Sequence, residues 1–130
     1  MKKQLKKNLI ERFSRQIVLK DIGILGQKKI LSAKVLVVGI GGLGCPAVEF
    51  LTRAGIGALG IVDYDKVSLS NLHRQSLYEK SDVGKSKVLI ANKILRRINP
   101  HTKIQNYNLK LNNINFKKYW CFRAKKNFNV

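Results

Sequence analysis

Gly39, Gly41 and Gly44 stand at relative positions one, three and six, with Gly42 between them, directly behind the apolar run of residues 35–38. Glycines at this spacing permit a tight turn and a close approach of backbone to ligand. They also bring a following helix near the strand and aim its first amides at an anion. A phosphate is the ligand such a turn suits. Asp63 follows about 20 residues later, where a carboxylate takes hydrogen bonds from ribose hydroxyls. Asp65, Asn71, Arg74 and Lys87 come next and add a second acid, an amide and two cations. Each has a plainer reading too: Asp65 and Asn71 as turn residues, Arg74 and Lys87 as solvated charges, and the glycines as packing between strand and helix.

These residues need a frame, and the pattern around them supplies one. Residues 34–38 read as a strand, 44–55 as a helix and 59–63 as a second strand ending in Asp63, which together make a mononucleotide-binding βαβ unit with a right-handed crossover. The polar stretch 66–82 reads as a loop over the carboxyl ends of the strands, the edge where open α/β sheets take ligands. Residues 84–98 have a helical apolar stripe (Val88, Ala91, Leu95, Ile98), stopped by Asn99-Pro100. A third strand is expected at 103–109. Ahead of the unit, Ile10, Phe13 and Ile17 recur at helical spacing across 9–19, Gly23 and Gly26 interrupt, and 27–32 reads as a short helix. The expected fold class is a Rossmann-type parallel sheet with flanking helices, preceded by amino-terminal helices.

A chain of 130 residues bounds this to one domain. Its net charge of +19 invites a nucleic-acid partner. Yet the lysines are scattered, no nucleic-acid motif accompanies them, and Lys, Ile and Asn make up 43 of the 130 residues, the bias of AT-rich codons. Nucleic-acid binding is therefore not the expectation. No apolar run reaches the roughly 18 residues of a membrane span and no secretory leader follows the basic start, so a cytoplasmic protein is expected. Cys45 and Cys121 form no CxxC pair. Cys45 reads as a packed thiol at a helix start, and His73 and His101 receive no role.

In order along the chain, Arg12-Phe-Ser-Arg15-Gln16, Gly26-Gln27, Val38-Gly-Ile-Gly-Gly-Leu-Gly44, Asp63-Tyr-Asp65, Ser70-Asn71-Leu-His-Arg74-Gln75, Val83-Gly84-Lys-Ser-Lys87 and Ile98-Asn-Pro100 resemble the amino-terminal half of the ThiF/MoeB/HesA adenylyltransferases, bacterial relatives of the ubiquitin-activating enzymes. The resemblance covers residues 9–110. It implies ATP-dependent activation of the carboxyl-terminal glycine of a ubiquitin-like sulfur-carrier protein, by attack of the carboxylate on the α-phosphate to give an acyl-adenylate. It further implies that Asp63 holds the ribose, that the amides around Gly41 and Gly42 approach the nucleotide, and that Asn71, Arg74 and Lys87 meet the phosphates. Arg15 would reach the triphosphate from the neighbouring subunit of a homodimer. Asp65 is carried with this set as a candidate contact.

The family also uses magnesium, held by an acid on a later strand, and zinc, held by two CxxC pairs. Neither ligand set is present in the sequence, so no metal-binding residue is assigned. The expectation is an incomplete ThiF-type domain over 1–130, with an unmatched tail at 111–130. Two alternatives accompany it: a non-catalytic nucleotide-binding or dimerisation module that pairs with a separate carboxyl-terminal half, and an NAD-binding Rossmann oxidoreductase domain.

Overall fold

β-branched side chains suit a pleated, buried surface, and the run Val35, Leu36, Val37, Val38 forms β1 (Lys34–Val38). β1 pairs in parallel with β2 (Ala58–Val62), and β2 pairs in parallel with β3 (Lys103–Tyr107), giving the order β1-β2-β3. The register is flush: Lys34, Ala58 and Lys103 stand abreast at one end, and Val38, Val62 and Tyr107 at the other. These coordinates are a computed structural model that describes residues 6–120. Residues 121–130, the last part of the tail and including Cys121, lie outside the described residues.

Parallel strands need crossovers, here α4 (Gly44–Ala54) and α5 (Lys87–Ile98). The two helices touch each other. Both therefore cover one face of the sheet, where Cys45, Val48, Val88, Ala91 and Leu95 pack on Leu59, Ile61 and Ile104. β2 is buried at all five positions, as a central parallel strand should be. The fold is the Rossmann-type parallel sheet with flanking helices and preceding amino-terminal helices.

Several boundaries differ from the sequence reading, each for a physical reason. The single helix expected over 9–19 is broken into α1 (Lys7–Arg12) and α2 (Ser14–Ile17) at Phe13. Phe13 turns inward to 2 % exposure, and a Cβ on Gly55 would stand 2.5 Å from its ring. Gly55, in the left-handed region at φ +89°, caps α4 and leaves that space open. Gly26 does not stop the next helix, for α3 runs Gly23–Ser32. The helix expected from residue 84 begins three residues later, because the chain ahead of α5 is extended. Val67 N donates to Lys85 O (2.8 Å), Gly84 N to Val67 O (2.9 Å) and Lys87 N to Asp65 O (3.1 Å), around an antiparallel bridge between Lys66 and Ser86. Within the tail 111–130, a short helix, α6 (Phe116–Trp120), presents Tyr119 edge-on to Tyr107 at 5.0 Å between centroids. No helix among the described residues is long and apolar enough to cross a membrane.

Candidate functional site

The turn between β1 and α4 demands glycine at both of its ends. Gly39 takes φ +86°, a region that side chains resist, and a Cβ on Gly44 would collide with the Gly39 carbonyl oxygen. The turn is then fixed from several sides. Gly39 N donates to Val62 O (2.7 Å) and Ile40 N to Asp63 Oδ2 (2.7 Å), while Asp63 Oδ1 accepts from Asp65 N (2.8 Å). Asp63 is itself buried, and both of its oxygens carry a backbone amide. The carboxylate thus ties the end of β2 to the start of the glycine turn.

Beyond Asp63 the chain leaves the sheet and returns over its carboxyl edge. Asn71 ends a short 3-10 turn, Leu69–Asn71, and its Oδ1 accepts from Arg74 Nη2 (3.0 Å). The Arg74 stem lies on Gly42, with Cδ 3.3 Å from where a Cβ would stand, and Gln75 Nε2 occupies the matching place at Gly41 (3.6 Å). Asn71 and Arg74 therefore overhang the turn amides as one unit. His73 Nε2 stands 3.3 Å from Arg74 Nη1, so the histidine that received no role lies beside the loop cation. Lys87, the first residue of α5, is buried to 3 % exposure and ends on Asp65 Oδ2 (3.2 Å). A buried ammonium needs such a partner. The antiparallel bridge upstream of α5 delivers Lys87 to this place.

One cleft of about 290 Å³ opens at the carboxyl ends of β1 and β2, lined by Gly39, Asp63, Tyr64, Asp65 and Lys110. The Lys110 amine stands 5.5 Å from the centre of the exposed Tyr64 ring. Gly39, Gly41, Gly42 and Gly44, with Asp63, Asp65, Asn71, Arg74 and Lys87, are thus brought to one rim. Arg15 is not. It is exposed on α2 between Phe13, packed at Gly55, and Gln16, whose Nε2 donates to Ala54 O (3.1 Å). That is the carboxyl end of α4, one helix length, about 16 Å, from the glycine turn.

Two groups that the sequence reading passed over, or read only as packing, support the turn from beneath. Tyr78, buried in the core, donates its hydroxyl to Ile40 O (2.9 Å), and the Cys45 thiol points to the same carbonyl (3.5 Å). Burial raises the pKa of both Cys45 and Tyr78 and keeps them protonated, as donors must be. Cys45 is the packed thiol expected of it, fully buried in the core.

The rim suits an anionic nucleotide: amides, two cations and a turn whose glycines let backbone approach a ligand closely. For magnesium it offers only Asp63 and Asp65, which already accept from backbone amides and from Lys87. No three His, Cys, Asp or Glu side chains gather into a metal site among the described residues.

Comparison with known proteins converges on one family. Residues 13–126 match the ThiF family profile. The adenylyltransferase and sulfurtransferase MOCS3 of Drosophila virilis is 50% identical over 106 residues, and that of Anopheles gambiae 48%; each alignment covers 82% of this chain and 24% of the relative. The chain thus spans about a quarter of the length of these relatives. Among solved structures, the E. coli tRNA N6-threonylcarbamoyladenosine dehydratase TcdA in complex with ATP superposes with a TM-score of 0.83 at 30% identity, over 91% of this chain and 48% of that one.

Proposed function

The chain belongs to the ThiF family, and from that premise we propose that it is the nucleotide-binding portion of an ATP-dependent adenylyltransferase acting on the carboxyl terminus of a ubiquitin-like sulfur carrier. The observation that carries the reading is the meeting of the glycine turn, Asp63, the Asn71–Arg74 pair and Lys87 at one rim. Adenylation brings a carboxylate to the α-phosphate and expels pyrophosphate. Its demand is therefore electrostatic, for donors and cations fixed before the reactants arrive.

Each residue has a part that its position allows. Asp63 orders the turn through Ile40 N, and its remaining lone pairs accept from ribose hydroxyls. The amides around Gly41 and Gly42 face the phosphates, Arg74 and Asn71 close over them, and Lys87 supplies a positive charge that Asp65 keeps in place. Arg15, at the far end of α4, serves a neighbouring copy in a homodimer. No three ligating side chains gather for magnesium among the described residues, so it takes no step in this reading.

Titration calorimetry with ATP, AMP and NAD tests the nucleotide reading. Saturable binding of ATP in preference to NAD is the expected result; preference for NAD would replace it with the oxidoreductase reading. Carrier-dependent exchange of labelled pyrophosphate into ATP then separates the enzyme from the non-catalytic module. Binding without exchange, even when a carboxyl-terminal half from a relative is added, supports the module.

A further inference from the structure

Ile40 has both backbone polar groups tied to side chains: its N–H to Asp63, and its carbonyl to the Tyr78 hydroxyl and the Cys45 thiol. A thiol is a weak donor, so the Tyr78 bond is the firm one. Tyr78 also belongs to the loop that overhangs the turn. Its N–H donates to Gln75 O (3.2 Å), and both Gln75 N (3.1 Å) and Arg74 N (3.2 Å) donate to Asn71 O. One hydroxyl therefore joins the two halves of the rim, the amide-bearing turn on one side and the Asn71–Arg74 loop on the other.

We propose that Tyr78 is a positioning residue, whose hydrogen bond to the Ile40 carbonyl holds the turn amides and the Arg74 loop in a fixed register so that both meet an anion together. The proposal rests on the nucleotide-binding reading above. The ring packs in the core whether or not it carries oxygen. The hydroxyl bonds to the turn and takes no part in the sheet ladder, so its removal loosens the register while sparing the fold.

The test compares the full chain with Tyr78→Phe, and with Tyr78→Leu as a second hydroxyl-free variant. Tyr78→Phe is expected to melt within a few degrees of the native chain yet bind ATP about fivefold more weakly, the worth of one hydrogen bond in a folded protein. Hydrogen exchange of the peptide covering residues 39–44 is expected to quicken about fivefold for the same reason, with that covering 88–98 unchanged. Unchanged ATP affinity in a folded Tyr78→Phe chain overturns the proposal, as does failure of both variants to fold, which would make the hydroxyl a folding determinant. Should the native chain bind no ATP, the nucleotide reading fails by itself, and the exchange comparison still decides whether Tyr78 fixes the turn.

Discussion

Lys87 shows how a single buried charge can be separated from the fold that holds it. Its amine lies on Asp65, whose own side chain is 49% exposed and stays solvated if the partner is removed. Lys87→Met keeps the stem and deletes the ion pair, and because Asp65 is left in water and not buried without a partner, the cost to stability should stay within about 1 kcal/mol. ATP affinity should nonetheless fall by at least about tenfold, because charge-assisted hydrogen bonds to phosphate are among the strong ones. Calorimetry beside a urea melt checks both. Equal losses in the two would make Lys87 structural. Cys45 gives a prediction with a pH sign. Its folded-state pKa lies above the ordinary 9.0 because burial penalises the thiolate. The resulting stability is therefore complete below pH 9 and is lost as pH rises through the folded value. Urea midpoints of the native chain should fall relative to Cys45→Ala above pH 9, and the two curves should run parallel between pH 6 and 8.

At the scale of elements, Phe13 fastens the amino-terminal helices to the carboxyl end of α4, with Gln16 and Gln27 both donating to Ala54 O (3.1 Å each). Phe13→Ala removes a fully buried ring and should cost about 3 kcal/mol in urea unfolding. The glycine turn is at the other end of α4, so ATP affinity of the folded fraction should change less than about twofold, as for a site more than about 10 Å away. β1, α4 and the turn between them were legible in the sequence because the signals are local: a strand-forming run, a glycine spacing and a helical stripe. The break at Phe13 was not, since the helical period runs straight through it and its cause is Gly55. Nor was the start of α5, where neither Lys66 nor Ser86 has the character of a strand. In the candidate site, Asp63, Asn71, Arg74 and Lys87 could be named from their order. The support from Tyr78 could not, for its hydroxyl partner is a carbonyl 38 residues earlier.

Over the whole molecule, 26 basic residues face 7 acidic ones. Seven acids cannot neutralise 26 bases, so most of the positive charge is uncompensated and repels itself. Raising NaCl from about 20 mM to about 500 mM shortens the Debye length from roughly 20 Å to roughly 4 Å and should raise Tm by several degrees. A Tm that falls or stays level would show that the charges are better paired than their number suggests. The same salt should strip non-specifically bound RNA during purification.

The sheet order β1-β2-β3 repeats the order in which a ribosome makes the strands. Each new strand meets a neighbour that has already emerged, and none must be inserted between two that have paired. The glycine turn and Asp63 are both complete once β2 has left the exit tunnel, so the Asp63 bond to Ile40 can form while the Arg74 loop is still being translated. The order of synthesis therefore places no topological obstacle in the way of pairing each strand as it emerges. The anion-facing turn is then the first functional part to be set, and the cations are laid over it afterwards.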